Sequence, residues 1–179
     1  LTDRIFELAI TANRPDGLSM LGIAREVAAL EQVELQAPPI NSLATAEPLD
    51  DAGLLENSRL FSLTALSGVT VGPSPSWLQQ RLDAAGQRSV NNLVDITNLV
   101  MLETGQPLHA YDSSRLEQPS AQAFSLRAAR PGETLLLLDG EDRELSCDNL
   151  LVTNADQPIA LAGVMGGETS SVHEGTTTV

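Results

Sequence analysis

The sequence predicts an α+β fold, with mixed or antiparallel sheets, a few packed helices and a β-rich second half. Between residues 74 and 105, apolar residues recur at helical spacing. After residue 108 the pattern changes to short apolar segments separated by turn signals, which is typical of strands. A chain of 179 residues is long enough to bury a substantial core in one or two domains.

The first 58 residues predict a strand–helix pair followed by a linker. Residues 5–10 predict a strand, and NRPDG at residues 13–17 predicts a turn. Apolar residues at helical spacing then predict a helix: Leu18, Leu21, Ala24, Val27, Ala28 and Leu30. Residues 36–58 are rich in Pro, Ala, Asp and Glu and predict an extended linker. We therefore expect residues 1–35 to belong to a neighbouring N-terminal module and residues 59–179 to form a separate domain.

Two further helices are predicted in the middle of the chain. Ser74 and Pro75 favour a helix start, as a cap and a first helical residue, and Gly86 favours its end. Ser89 is the predicted cap of the next helix, and Gly105 is its predicted end.

The remaining elements are predicted to be strands. The predicted strands are residues 60–71, 108–111, 124–128, 134–138, 143–145, 150–153 and 158–163. Asp139-Gly140 lies between two of them and predicts a hairpin, and Asn154-Ala155-Asp156 predicts another turn.

The charge of the chain restricts its partners. It has ten Arg, no Lys and 24 acidic residues, which gives a formal net charge of −14. Proteins that bind nucleic acid by themselves usually present a basic face, so this chain should bind RNA weakly without help. The absence of Lys also excludes a phosphate-loop lysine and a Schiff-base lysine.

The sequence lacks the motifs of several common kinds of site. It has no phosphate-binding loop, dinucleotide fingerprint or nucleophile elbow. Its two histidines and the single Cys147 do not have metal-ligand spacing, so no metal site is predicted. No apolar run approaches the roughly 20 residues of a membrane span, and no signal peptide opens the chain. We expect a cytoplasmic protein without membrane contact.

The segment from Val90 to Asp112 has the most unusual composition. It places amide and hydroxyl side chains among apolar residues, where an ordinary amphipathic helix carries Lys, Glu or Arg. Amides are poor helix formers because they compete with the backbone for hydrogen bonds. The segment is therefore expected to make specific hydrogen bonds.

Three stretches carry a resemblance to a known family. They are ELAITANRPDGLSMLGIAREVAAL, NNLVDITNLVMLETGQPLHAYD and IALAGVMGGETSSV, in this order. Together they resemble the beta subunit of bacterial-type phenylalanyl-tRNA synthetase, and the second is similar to its editing domain. The resemblance implies that residues 59–179 are an editing domain and that the chain is a fragment of a longer subunit, truncated at the C-terminal end of that domain.

The resemblance implies two catalytic residues. His109 matches the histidine of the family's GQPxHA motif, and Asn98 matches its pocket asparagine. A neutral imidazole can orient a water molecule or accept its proton, and an amide can polarise an ester carbonyl. Without the resemblance, His109 also fits a structural histidine beyond a helix end. Asn98 also fits a tie between helix and strand, and Asn91 and Asn92 are competing amides.

Glu168 is the residue that the resemblance assigns to substrate recognition. It follows Gly163, Gly166 and Gly167, which permit a tight turn or the close approach of a ligand. Glu168 would accept a hydrogen bond from a phenol hydroxyl. Thr169 is the alternative at this position, and an ordinary surface turn also explains the pattern.

Thr153 and Asn154 match a strand end that lines the family's pocket, and they are further candidates for substrate binding. A simple junction between strand and turn explains both residues equally well.

The implied function is removal of tyrosine wrongly attached to tRNA(Phe), at a site separate from aminoacylation. The chain would thus supply an ester hydrolase activity to an aminoacyl-tRNA ligase. No cofactor is expected for editing, whereas ATP and Mg would bind the synthetase outside this chain. The expected partners are the tyrosine-bearing 3′ end of the tRNA, the alpha subunit and the rest of the beta subunit, in a heterotetramer of two alpha and two beta subunits. The alternatives are a non-catalytic scaffold or tRNA-binding module, and a trans-editing hydrolase.

Overall fold

The computed structural model describes residues 4–39 and 61–179. They form two compact units, one of residues 4–39 with Gly72–His109 and the other of residues 61–71 with Ala110–Val179. In the described residues, the α-helices lie in the first unit and the sheets in the second. The predicted α+β class is confirmed. The predicted linker lies mostly outside the described residues, and the predicted domain boundaries stay predictions.

The first unit opens with an extended segment and a capped helix. Residues 5–10 pair with no strand among the described residues, so the predicted strand is wrong there. A 3₁₀ turn at Pro15–Leu18 leads into α1, which spans Met20–Glu31 and confirms the predicted helix. The hydroxyl of Ser19 caps α1 by accepting a hydrogen bond from the Gly22 backbone N–H at 3.0 Å.

Two more helices complete the first unit. Helix α2 spans Ser76–Ala84 and α3 spans Asn92–Thr104. Gly105 ends α3 as predicted, with a φ of +79° that a residue with a side chain rarely adopts. The two helices pack together through a small apolar core, formed by Leu78, Leu82 and Leu99.

The predicted helix caps are wrong. Pro75 occupies the N-cap position of α2, and Asn91 caps α3 by accepting a hydrogen bond from the Val94 N–H at 3.0 Å. Ser74 and Ser89, the predicted caps, have another role, which is described with the site below.

The second unit is built from antiparallel strands. They are β1 (Phe124–Ala128), β2 (Thr134–Leu136), β3 (Asp142–Glu144), β4 (Leu150–Asn154), β5 (Gln157–Leu161) and β6 (Met165–Gly166). A four-stranded sheet has the order β1-β4-β5-β6, and β2 pairs with β3 in a separate ribbon. Apolar side chains form two buried clusters: Ala129, Leu135, Leu137, Leu145 and Leu151 in one, and Leu126, Val152, Ile159 and Ala160 in the other.

Two predicted turns join these strands. The β2–β3 ribbon turns at Asp139-Gly140, where Gly140 has a φ of +81°. Strands β4 and β5 are joined through Ala155 and Asp156, which have positive φ values of 48° and 71°. Positive φ suits the twist of a tight hairpin, and glycine adopts it readily, so the local sequence favours the turn at Asp139-Gly140.

Other strand predictions differ from the structure. Residues 108–111 form no strand, because only Tyr111 pairs, in an isolated bridge with Ser171. Of the strand predicted at residues 60–71, Leu60 lies outside the described residues, and the rest contributes an isolated bridge between Ser67 and Thr178. The two-residue strand β6 was not predicted. The two bridges join residues far apart in sequence, so local pattern does not reveal them, whereas β6 pairs with the adjacent strand β5.

A buried carboxylate ties together the C-terminal part of the second unit. Asp112 is 1% exposed and accepts hydrogen bonds from the Thr176 hydroxyl at 2.6 Å and from the Ser114 N–H at 2.8 Å. The Nε2 atom of His173 lies 3.5 Å from the same carboxylate. Burial raises the pKa of Asp112, but the hydrogen bonds lower it by more, so the net pKa lies below its ordinary value.

Asp112→Asn should therefore destabilise the chain and weaken its acid sensitivity. A carboxyl group with a lowered folded-state pKa contributes stability above its unfolded pKa and loses that contribution as pH falls. At pH 7, we expect the free energy of unfolding of the variant to be lower than that of the parent by about 1.5–3 kcal/mol, the value of a hydrogen bond to a charged group. As pH falls from about 5 to 2, the free energy of unfolding should decrease less in the variant than in the parent. Urea unfolding at several pH values measures both effects. Asp148→Asn, at an exposed position, is the control. Parallel pH curves for Asp112→Asn and the parent would contradict the assignment.

Candidate functional site

Asn98 lies on α3 and is partly buried. The competing amides on this segment have roles in the fold: Asn91 caps α3, and the Asn92 side-chain oxygen accepts a hydrogen bond from the Gly72 N–H at 3.1 Å. By contrast, the Asn98 side chain makes no hydrogen bond to the described residues. Asn98 therefore keeps an amide that is available to a ligand.

The first turn of α3 is held by a carboxylate that the sequence analysis did not single out. Asp95 has 0% exposure. Its Oδ2 atom accepts hydrogen bonds from the hydroxyls of Ser74 and Ser89, and its Oδ1 atom accepts one from the Val90 N–H at 2.8 Å. Burial raises the pKa of Asp95, but these donors lower it by more, so the net pKa lies below the ordinary value. The available signal was an acidic residue in an apolar run, preceded in the sequence by Ser74 and Ser89.

His109 follows α3 at the end of the first unit. Its side chain retains solvent exposure, yet desolvation by surrounding protein atoms lowers the pKa of His109 below its ordinary value. Since desolvation disfavours the charged imidazolium, His109 is a neutral imidazole near pH 7. A neutral imidazole can accept a proton from water.

Thr153 and Asn154 are buried and already engaged in the fold. The Thr153 hydroxyl lies 2.7 Å from the Ser125 hydroxyl across the β1–β4 pair. The Asn154 amide accepts from the Gln118 N–H at 3.0 Å and donates to the Gln118 carbonyl at 2.7 Å. Their polar groups thus fasten strand β4 to its neighbours, which matches the structural alternative given above.

The glycines before Glu168 serve different purposes. Gly163 has a φ of +71° in the turn between β5 and β6, with nothing near the position of a missing side chain. Gly166 is buried on β6. Gly167 is packed so closely that an added Cβ would lie 2.7 Å from the Ile159 carbonyl oxygen. Its close approach is to the protein's own backbone, whereas Gly163 leaves open space of the kind a ligand could use.

Glu168 and Thr169 differ in their surroundings. Both side chains are exposed, and the Glu168 backbone N–H donates to the Leu136 carbonyl at 2.9 Å. Thr169 lines a cavity of about 350 Å³ in the second unit, together with Arg115, Asn154 and Ile159. Glu168 does not line this cavity. The choice between Glu168 and Thr169 as the recognition residue stays open.

The proposed site residues fall into two sets. Asn98 and His109 belong to the first unit, whereas Thr153, Asn154, Glu168 and the glycines belong to the second. That the two sets line one pocket stays a prediction.

The described part of the chain contains no group of three or more His, Cys, Asp or Glu residues that could hold a metal ion. Within residues 4–39 and 61–179, no helix has the length and apolar character that a membrane crossing requires.

Comparison with known proteins identifies the family. Residues 57–179 match the model of the B3/4 domain. Over the whole chain, the sequence is 50% identical to the phenylalanine–tRNA ligase beta subunit of Synechococcus sp. (strain JA-2-3B'a(2-13)) and covers 22% of that protein. It is 48% identical over the whole chain to that of Thermosynechococcus vestitus, covering 23% of it. It is 51% identical over 96% of the chain to that of Prochlorococcus marinus (strain MIT 9313), covering 22% of it. The chain thus spans less than a quarter of these relatives, and the resemblance to bacterial-type phenylalanine–tRNA ligase beta subunits first seen in its motifs is confirmed over the whole chain. The chain belongs to the B3/4 domain family.

Proposed function

We propose that this chain is the editing module of a phenylalanine–tRNA ligase, which hydrolyses the ester bond of tyrosyl-tRNA(Phe) away from the aminoacylation site. The family match and the similarity of the whole of this chain to part of the ligase beta subunits support this proposal. The observation that carries it is the Asn98 amide, which has no hydrogen bond to the described residues on a helix whose other amides are engaged.

The need for such a site follows from the limits of an apolar pocket. A pocket made for phenylalanine rejects an analogue with one added hydroxyl by only about 10²-fold. A second site that hydrogen-bonds the hydroxyl reverses the preference, because phenylalanine then leaves a buried acceptor unpaired. That loss amounts to about 1–3 kcal/mol. Glu168 or Thr169 would provide the acceptor.

The hydrolysis requires a positioned water molecule and stabilisation of an oxyanion. In the proposed reaction, the water oxygen attacks the ester carbonyl carbon while His109 accepts the proton that the water loses. Asn98 donates a hydrogen bond to the carbonyl oxygen as negative charge develops on it. The bond to the ribose oxygen then breaks, and that oxygen takes up the proton, which releases tyrosine and the tRNA.

The other parts of the ligase would supply what this chain lacks for the whole reaction. The proposal uses no cofactor for editing, and ATP and Mg belong to aminoacylation elsewhere in the ligase. The alpha subunit and the rest of the beta subunit would hold the tRNA and present its 3′ end. A non-catalytic scaffold is the second candidate, which the structural roles of Thr153 and Asn154 favour.

Variants of the recognition turn test the substrate assignment in the whole ligase. Glu168→Ala should slow removal of tyrosine by roughly 10–150-fold, because one hydrogen bond to a charged group, worth about 1.5–3 kcal/mol, is lost. Phenylalanine charging should remain nearly unchanged. Hydrolysis of purified tyrosyl-tRNA(Phe) provides the measurement, and Thr169→Ala is the matched variant one residue along the chain. The opposite pattern would assign recognition to Thr169, and normal editing in both variants would exclude this turn.

The pH dependence of hydrolysis tests His109. A base with a lowered pKa stays neutral to lower pH, so kcat/KM should remain high below the ordinary histidine value of about 6.5 and fall only at more acidic pH. His109→Ala should lower the rate by about 10²–10⁴-fold, as expected for loss of a general base, and remove this acid limb.

The other histidine provides the control. His173→Asn keeps an acceptor for the Gly175 N–H, which donates to His173 Nδ1 at 2.9 Å, and should keep the acid limb. An unchanged profile in His109→Ala would rule out His109 as the base.

The charge of the chain leads to a prediction about RNA. Several of its arginines, including Arg14, Arg127, Arg130 and Arg143, form ion pairs with its own carboxylates. With a net charge of −14, the isolated chain should bind tRNA(Phe) no better than non-specific contacts, about 10⁻⁴–10⁻⁶ M at physiological salt. Filter binding provides the test. A much tighter constant that weakens steeply with salt would contradict this expectation.

A further inference from the structure

We infer that Asp95 is a positioning residue for editing, because its buried carboxylate fixes the orientation of α3 and thereby of the Asn98 amide. The inference rests on the proposed function, in which Asn98 contacts the ester carbonyl.

The carboxylate joins three separate parts of the first unit. Ser74 lies before α2, Ser89 and Val90 lie before α3, and Asp95 lies in the first turns of α3 itself. Its hydrogen bonds therefore hold the beginnings of both helices together. Since the donors approach both carboxylate oxygens, they restrict rotation of α3 about its own axis as well as its translation.

A second pair of contacts strengthens this connection. The Asn92 N–H donates to the Gly72 carbonyl at 2.9 Å, and the Gly72 N–H donates back to the Asn92 side chain at 3.1 Å. Asn91 closes the first turn by accepting from Val94. The polar residues at the start of α3 thus hold the helix in place through hydrogen bonds.

Asn98 is placed to respond to that constraint. It lies three residues after Asp95, so the two side chains project from neighbouring positions on one side of the helix, about one turn apart. A rotation of the first turn of α3 would move the Asn98 amide directly. Displacement by about 1 Å at a reacting centre can cost about 10²-fold in rate.

The chemistry suggests a variant that alters the clamp without removing it. In Asp95→Asn, the amide oxygen can still accept from the Val90 N–H, and the amide N–H groups can donate to the serine hydroxyls after these reverse their direction. The shape of the contact is kept while the charge is lost. We expect kcat for hydrolysis of tyrosyl-tRNA(Phe) by the whole ligase to fall about 10–100-fold with little change in KM.

A double-mutant cycle with Asn98→Ala distinguishes positioning from general destabilisation. If Asp95 acts through Asn98, adding Asp95→Asn to Asn98→Ala should cause little further loss of kcat, since the group it positions is already absent. Leu126→Ala, in the buried core of the sheet, is the control: its effect should be the same with or without Asn98. If Asp95→Asn does not fold, Ser89→Ala removes one donor only and should give a smaller loss with the same dependence on Asn98.

The outcomes separate the two proposals. Independent, multiplying effects of Asp95→Asn and Asn98→Ala would overturn the positioning role, as would full activity in both Asp95→Asn and Ser89→Ala. Full activity in Asn98→Ala would also overturn it. In each of these cases, the proposed editing function would still hold, provided that the parent ligase hydrolyses tyrosyl-tRNA(Phe). Failure of the parent ligase to hydrolyse tyrosyl-tRNA(Phe) would instead overturn the proposed function, and the positioning role with it.

Discussion

The Asp95 carboxylate is buried and forms no ion pair with a cation among residues 4–39 and 61–179, and the arrangement of the first unit follows from the need to satisfy it. An ionised carboxyl group taken out of water costs several kcal/mol unless hydrogen-bond donors replace the lost water. Here two serine hydroxyls and a backbone N–H take that place, from segments before α2 and α3. Any change that separated these segments would leave charge and donors unpaired together. The carboxylate therefore makes these segments depend on one another for stability. The small apolar core of Leu78, Leu82 and Leu99 packs between the helices that they begin.

Asp112 applies the same constraint in the second unit with a different set of donors. Its hydrogen bonds come from Ser114, close in sequence, and from Thr176, which is 64 residues away. The second contact holds Thr176 against the beginning of the segment Ala110–Val179. In both units, then, a buried carboxylate with hydroxyl partners closes a loop that the apolar side chains alone would leave weakly determined. Such contacts require a specific geometry, because an incorrectly placed donor would leave the buried charge without a hydrogen-bond partner.

The sequence predicted those elements whose signals are local. Gly105 ends α3 and Gly140 completes a hairpin because both positions need a positive φ, and β1 was predicted with its observed bounds. Errors arose where the partner is distant. Ser74 is a residue type that often caps a helix, but its hydroxyl donates to the Asp95 carboxylate 21 positions later. Residues 5–10 have the composition of a strand, but no neighbouring strand pairs with them among the described residues.

The same distinction applies to the candidate site. Residue pattern alone does not distinguish Asn98 from Asn91 and Asn92, because all three are asparagines in one segment, and the resemblance was needed to select Asn98. In the structure, Asn91 and Asn92 make hydrogen bonds within the fold, while the role of Asn98 stays a prediction. Gly167 shows the reverse case, since a glycine that suggested room for a ligand is required by the Ile159 carbonyl oxygen.

The exposure of Glu168 limits how it can discriminate between tyrosine and phenylalanine. A carboxylate in water hydrogen-bonds to solvent, so a ligand without a hydroxyl leaves it no worse off. Discrimination arises only if the bound ligand excludes that water. The tyrosine hydroxyl then replaces the water as a hydrogen-bond donor, whereas phenylalanine leaves the carboxylate without a donor. Selectivity at Glu168 would thus depend on closure around the substrate and on the tRNA that delivers it. Thr169 lines a cavity but its side chain is exposed as well, so it meets the same requirement, and its neutral hydroxyl forms a weaker hydrogen bond than a carboxylate. Recognition at either residue therefore requires that the bound substrate exclude water, and Glu168 would then give the stronger hydrogen bond.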